Sequence, residues 1–387
     1  MAARKPISLV KTEDFDAITW PDEPGRFTDD HVDQFLLWCV KQNSSDVTIQ
    51  SERQVYNEIH GTLHPATVRV IDAADMAIFL TKIYGPEAQA RLAAAKDLDV
   101  SYEIRPDRYT RIRFRVNITA ILAKGRDGAQ ITMRVLPSEP PTMAALSVER
   151  DIIDAWAPRQ GIVIVTGPTG SGKTTLLAAG NRMMLERPEG CGKMLTYEAP
   201  IEYVYDTVES ARSIVAQTEI PRHLPNFASG IRNALRRKPE IILVGESRDK
   251  ETINASIEAA QTGHTVYTTT HTMGVANTVA RMISTYDIEE REERAIALME
   301  TLRMIVTQSL APRIGGGRIG VREWMIFPDI VREKLMEMSY TKWQTEIQRM
   351  ISNYGRTMEK SAEIVYEKGL IDRRSYLWLS SSTGAGV

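Results

Sequence analysis

Apolar positions follow two regimes along this chain. In the first third they alternate with polar ones at a period of two. Asp46-Val-Thr-Ile-Gln, Val55-Tyr-Asn-Glu-Ile, Arg111-Ile-Arg-Phe-Arg-Val-Asn and Gln130-Ile-Thr-Met-Arg-Val each present one apolar face, which predicts the strands of a small mixed domain. Ahead of them Val32, Phe35, Leu36, Cys39 and Val40 recur at helical spacing behind the capping run Thr28-Asp29-Asp30. From Leu146 onward the apolar residues come instead as short unbroken runs, each followed by a loop and then a helical stretch. Strands are predicted over 162–166, 194–197, 241–244 and 266–270, and their alternation with helices is the signature of a doubly wound parallel sheet. Past Arg313, Gly315-Gly-Gly between apolar stretches predicts a hairpin, and Ile347, Met350, Ile351 and Tyr354 predict a late amphipathic helix.

Between the two regimes, Pro137-Ser-Glu-Pro-Pro-Thr142 packs three prolines into six residues, which favours an extended connector. The expected organisation is therefore an arm over 1–27, an α+β domain over 28–137, a linker over 138–145, a larger α/β domain over 146–379 and a small, polar, disordered tail over 380–387.

Bulk properties narrow the partners more than the fold. At 387 residues, 43% hydrophobic and 25% charged, the chain has the make-up of globular material. Its 48 basic and 50 acidic side chains leave a net charge of −2, so no overall basic field exists to hold nucleic acid, and direct nucleic-acid contact is not expected. Met1 to Glu23 carries Arg4, Lys5 and Lys11 without an apolar core behind them, and no apolar run approaches the roughly 20 residues a membrane span needs. A cytoplasmic protein is expected, recruited to a membrane only through partners. Cys39 and Cys191 lie far apart without a paired spacing and read as two buried thiols.

The strongest chemical signal is Gly167-Pro-Thr-Gly-Ser-Gly-Lys173-Thr174, a Gly-x-x-x-x-Gly-Lys-Thr run set between an apolar strand and a helix. Glycines let successive backbone N–H groups turn toward phosphates, and the helix start adds partial positive charge. Gly167, Pro168, Thr169, Gly170, Ser171, Gly172, Lys173, Thr174 and Thr175 are the expected ATP-binding residues. Lys173 is expected at the β- and γ-phosphates and Thr174 at Mg2+. Hydrolysis also needs one carboxylate for water and another near the metal, and Glu198 and Glu246 follow predicted strands where ligands of open α/β sheets bind.

His264 and His271 bracket one strand, and seven extended residues span roughly 23 Å, so they cannot share a task. His271 is the candidate for sensing the γ-phosphate, with a structural histidine as the alternative; His264 is assigned to the strand entry or a subunit contact. Arg113, Arg115 and Arg134 line neighbouring predicted strands, either as a solvated face or as charge for a phosphoryl transition state. Arg232 and Arg236, one predicted helical turn apart beside Arg237 and Lys238, fit either a subunit interface or a solvated face.

From Ser45 to about Arg313 these motifs resemble the secretion ATPase superfamily of type II and type IV systems, especially its PilT-like branch. Lys193-Met-Leu-Thr-Tyr-Glu-Ala-Pro-Ile-Glu202 is similar to its aspartate box. The stretch from Leu235 to Asp249 is similar to its Walker B segment, Thr262-Gly-His-Thr-Val-Tyr-Thr-Thr-Thr-His-Thr272 to its histidine box, and Arg113-Phe-Arg-Val-Asn to its arginine strand. The resemblance implies a RecA-like P-loop domain with a parallel-sheet core, preceded by a PAS-like α+β domain. It also implies a homo-hexameric ring driven by Mg-ATP, with Glu198 as the water-activating base and Glu246 at the magnesium.

Ala199 stands where the PilT-like branch has aspartate, and Lys238 where it has Asp-Pro before the Walker B strand. Those departures resemble the DotB and TraJ branch of type IVB secretion and conjugation systems, which implies an export motor docked on inner-membrane components. A pilus-retraction motor is the alternative. No Asn-Lys-x-Asp run supports a GTPase, and intact Lys173, Thr174, Glu198 and Glu246 speak against a nucleotide sensor without turnover.

Overall fold

The computed structural model describes residues 19–381 apart from His60, Tyr109 and Ser138. Most of the expected arm, and the tail beyond Ser381, lie outside the described residues. The chain divides into two compact units, Met1–Ser138 and Glu139–Val387.

The first unit runs α1 (Asp29–Lys41), β1 (Asp46–Gln50), β2 (Tyr56–Ile59), β3 (Thr62–Pro65), α2 (Ala73–Ile83), α3 (Ala88–Ala93), β4 (Leu98–Ile104), β5 (Ile112–Ala123) and β6 (Arg126–Leu136). Its strands form an antiparallel sheet in the order β3-β2-β1-β6-β5-β4. Alternation sends Val47, Ile49, Phe114, Val116, Ile118, Ile131 and Met133 inward, where they meet Val32, Phe35, Leu36, Phe79 and Leu80 of the helices in one apolar cluster. Thr28 caps α1 and Asp72 caps α2, each side chain accepting a backbone N–H three residues on. Helix α2 and strands β3 and β4 were not among the predicted elements.

The second unit contains α4 (Arg150–Ala155), β7 (Gly161–Thr166), α5 (Lys173–Leu185), β8 (Gly192–Glu198), β9 (Ser213–Glu219), α6 (Phe227–Ala234), β10 (Ile241–Val244), α7 (Lys250–Gln261) and β11 (Thr265–Thr269). It continues with α8 (Val275–Ser284), α9 (Arg291–Thr301), β12 (Leu302–Pro312), β13 (Arg318–Ile326), α10 (Asp329–Met336), α11 (Trp343–Tyr354), β14 (Gly355–Arg356), α12 (Met358–Glu367) and α13 (Arg373–Ser381). The sheet order is β14-β13-β12-β7-β11-β10-β8-β9. The strands from β12 to β9 in that order pair in parallel; β13 runs against them, and β14, antiparallel to β13, returns to their direction. Strands β7, β10 and β11 are buried at every position, as a sheet covered by helices on both faces requires.

Close packing leaves no room for a side chain at Gly180. Gly180 sits in the middle of α5, and a Cβ there would lie 2.1 Å from the indole of Trp156, which is fully buried and stacked on Tyr267. Alanine favours a helix interior by about 1 kcal/mol over glycine, but displacing a locked indole outweighs that gain. Gly180→Ala is expected to lower unfolding free energy by about 2 kcal/mol, read by urea denaturation; an unchanged midpoint would contradict this packing. Cys39 and Cys191 are both buried free thiols, and burial raises both thiol pKa values.

Candidate functional site

Parallel strands put their carboxyl ends on one edge, and the sheet order places the ends of β7, β11, β10 and β8 side by side. The loop following β7 opens α5 with Lys173 as its first residue. Gly167, Gly170 and Gly172 have φ of +135°, +78° and +81°, a region that disfavours side chains. At Gly167 a Cβ would stand 2.2 Å from the backbone carbonyl of Gln308, whereas nothing lies within 4 Å of one at Gly170. The loop is thus pressed against β12 at its start and faces open space at its crest.

Two buried polar groups on this loop are short of the partners they want. Ser171 is 3% exposed and its Oγ has no hydrogen-bond partner among the described residues. Lys173 is 8% exposed, and its Nζ donates to the carbonyls of Gly167 at 2.8 Å and Pro168 at 3.0 Å. Burial first, then the charge of Arg248, lowers the Lys173 pKa, with Glu202 opposing. A buried hydroxyl without a partner and an ammonium resting on neutral carbonyls are both groups that a phosphate chain would satisfy. The residues present therefore fit a triphosphate. Thr174 follows at the helix start, half-buried, and Thr175 Oγ1 lies 3.1 Å from the hydroxyl of Tyr203.

Glu198 ends β8 and is 5% exposed; its Oε1 accepts from Thr196 Oγ1 at 2.6 Å and from Gln217 Nε2 at 3.2 Å. Gln217 is itself fixed, donating to the carbonyl of Tyr203 at 2.8 Å and accepting from the N–H of Tyr205 at 3.0 Å. One strand over, Glu246 follows β10. His271 Nε2 is 3.1 Å from Glu246 Oε1, and Arg248 contacts the same oxygen through Nε and His271 Nε2 through Nη2 at 3.0 Å. Burial, then Lys173 and Arg248, lowers the His271 pKa, which favours the uncharged ring.

Hydroxyls hold this edge together. Thr166 Oγ1 donates to the Thr272 carbonyl at 2.6 Å, Thr270 Oγ1 donates to Thr166 Oγ1 at 2.8 Å, and Thr272 Oγ1 meets Thr278 Oγ1 at 2.7 Å. The histidine loop is thereby tied to the strand that feeds the phosphate loop. At the other end of β11, His264 Nδ1 lies 2.9 Å from the carbonyl of Ala259.

Arg113, Arg115 and Arg134 belong to the first unit, with Arg115 directly opposite Arg134 across β5 and β6. Arg113 is 3% exposed with Nε 3.7 Å from Glu103, Arg115 pairs with Asp99 at 3.2 Å and Arg134 with Asp46 at 3.0 Å. Helix α6 ends at Ala234, so Arg236 lies past it and shares no helical turn with Arg232, a correction to the spacing argument. Side chains that the sequence reading assigned no role, Arg248, Glu202, Gln217 and Glu219, stand at or beside the site. Glu219 is 2% exposed and pairs in register with Glu198. Arg248 lies two residues from Glu246, and that nearness in sequence was the available signal.

Comparison with known proteins agrees with the mixed α/β fold. A family model described as "Type II/IV secretion system protein" matches residues 26–319. The chain is similar to the X-ray structure of the Legionella pneumophila ATPase DotB, at 44% identity and a TM-score of 0.88, covering 94% of this chain and 98% of that one. It is similar to the Yersinia pseudotuberculosis ATPase DotB at 31% identity and a TM-score of 0.79, over 93% and 96% of the two chains. The Pseudomonas aeruginosa type IV pilus ATPase PilT is 31% identical over 346 residues, 89% of this chain and 96% of that protein. A crystal structure of the pilus retraction motor PilT with bound ADP has a TM-score of 0.76 at 27% identity, over 90% and 96% of the two chains. With its mixed α/β fold, its P-loop on a parallel sheet edge and a family match running from the first unit well into the second, this chain belongs to the type II/IV secretion system protein family, an ATPase family close to DotB.

Proposed function

We propose that this chain is a homo-hexameric ATPase that hydrolyses Mg-ATP to power substrate export through a type IVB, Dot/Icm-like secretion or conjugation apparatus. The observation that carries the enzymatic part is the juxtaposition of an unpartnered Ser171 hydroxyl and a carbonyl-held Lys173 with Glu246, Arg248 and His271 on one sheet edge. The 44% identity to DotB over nearly the whole chain supports the export branch. The proposed domain organisation places an N-terminal α+β domain over 28–137 and a linker over 138–145 ahead of the ATPase domain.

In this reading the N–H groups of 167–175 and the Lys173 ammonium hold the phosphates. Glu198, kept in place by Thr196 and Gln217, orients and deprotonates the attacking water. Thr174 and Glu246 are the residues that would hold magnesium, which would neutralise charge developing on the phosphates. Among the described residues no cluster of three or more His, Cys, Asp or Glu side chains is placed to hold a metal. His271 is available to report on the terminal phosphate. Lys173 and Arg248 supply positive charge at the site, and Arg113, Arg115 and Arg134 are the candidates for charge from a neighbouring subunit.

No helix among the described residues is long and apolar enough to cross a membrane. A cytoplasmic ring, bound to inner-membrane secretion components and not to nucleic acid, is the corresponding proposal. The test has two arms. Purified protein should release phosphate from Mg-ATP and shift to a hexamer-sized species; a monomer without turnover would contradict the motor. A strain lacking the chain should lose substrate export while keeping twitching motility, and the reverse outcome would favour pilus retraction.

A further inference from the structure

Arg322 is 2% exposed on β13, and none of its bonds is used by the reaction described above. Its Nε donates to Gln308 Oε1 at 2.8 Å, and Gln308 Nε2 donates onward to the backbone carbonyl of Ser171 at 2.7 Å. On the other side its Nη1 reaches Glu149 Oε2 at 3.0 Å and the Ser147 carbonyl at 3.3 Å, and its Nη2 the Leu146 carbonyl at 3.1 Å. Ser147 has a φ of +49°, an uncommon conformation for a non-glycine residue that persists only where its surroundings over-determine it. The planar fork of Arg322 thus clamps the turn at 146–149 and, through one glutamine, the loop beside Lys173.

Gln308 meets the loop at three points. Its carbonyl crowds the Cβ position of Gly167, its amide donates to Ser171, and that same amide nitrogen lies 2.9 Å from where a Cβ on Gly172 would be. On the far side Gln308 and Arg322 line a cavity of about 620 Å³ that reaches Gly172 and Thr175. The loop borders this cavity at Gly172 and Thr175, while the hydrogen bond from Gln308 fixes the buried Ser171 beside them.

We propose that Arg322 is a positioning residue which, through Gln308, presets the phosphate loop for nucleotide and locks it to the 146–149 turn. The inference rests on the reading of 167–175 as the nucleotide site. A preset loop has less order to gain on binding, so removing the relay weakens affinity for ADP and ATP alike while leaving turnover at saturation nearly untouched.

The test uses the full chain carrying Arg322→Met, Gln308→Leu, both together, Arg322→Lys, or Lys173→Ala. Dissociation constants for fluorescent ADP and ATP with magnesium are measured beside melting temperature and turnover. Arg322→Met and Gln308→Leu should each weaken both nucleotides about tenfold, the double variant no more than either alone, and saturated turnover should stay within about twofold. Arg322→Lys keeps a charge beside Glu149 and so the folded turn, but a point ammonium cannot also fork to Gln308; it should show the same loss with an unchanged melting temperature. If Arg322→Met does not fold, Arg322→Lys and Gln308→Leu decide. Wild-type affinity in those two, or additive losses in the double variant, overturns the relay. If Lys173→Ala also binds as wild type, the nucleotide site itself is misread.

Discussion

Glu198→Gln should bind Mg-ATP as the wild type does and turn it over about a thousandfold more slowly, the order expected when a general base is removed. The substitution is nearly isosteric, and the remaining amide oxygen can still accept from Thr196 Oγ1 and Gln217 Nε2. Fold and pocket therefore stay as they are, and what disappears is the negative charge able to take a proton from water. The readouts are single-turnover phosphate release and nucleotide affinity on the same preparation. Loss of affinity in step with rate would make Glu198 a binding residue. Unchanged rate would pass the role to a neighbouring carboxylate, Glu202 or Glu219.

The elements that can be read from sequence are those whose burial is complete. Strands β7, β10 and β11 are buried at every position and stand out as apolar runs, and the P-loop follows the first of them. Strand β9 escaped because Ser213–Glu219 is an edge strand, mostly half-buried, whose polar Gln217 and Thr218 dilute any period. Helix α2 carries a readable signal, Asp72 as cap followed by Met76, Phe79, Leu80 and Ile83.

The site divides in the same way. Residues at strand ends, Glu198, Glu246 and His271, follow from the fold class, since parallel strands all deliver their next residue to one edge. Partners are a different matter. Gln217 supports Glu198 through strand pairing 19 residues later, and Arg322 reaches the P-loop through Gln308, which sits 137 residues from Ser171. No local pattern encodes such contacts, because they depend on register across the sheet.

Replacing Lys173 removes the one ammonium on the loop. In the wild type this group is nearly buried and rests on two neutral carbonyls, so a triphosphate would give it the anionic partner it lacks among the described residues. Losing a buried charged partner of that kind costs a few kcal/mol, or about a hundredfold in affinity. The rest of the loop should be undisturbed, since its shape depends on glycines and on Gln308. The deciding measurement is calorimetric titration of Mg-ATP into wild-type and Lys173→Ala protein under the same salt. Saturable binding in the first and at least about a hundredfold weaker binding in the second is the predicted result; equal affinities, or no binding by the wild type, would contradict it.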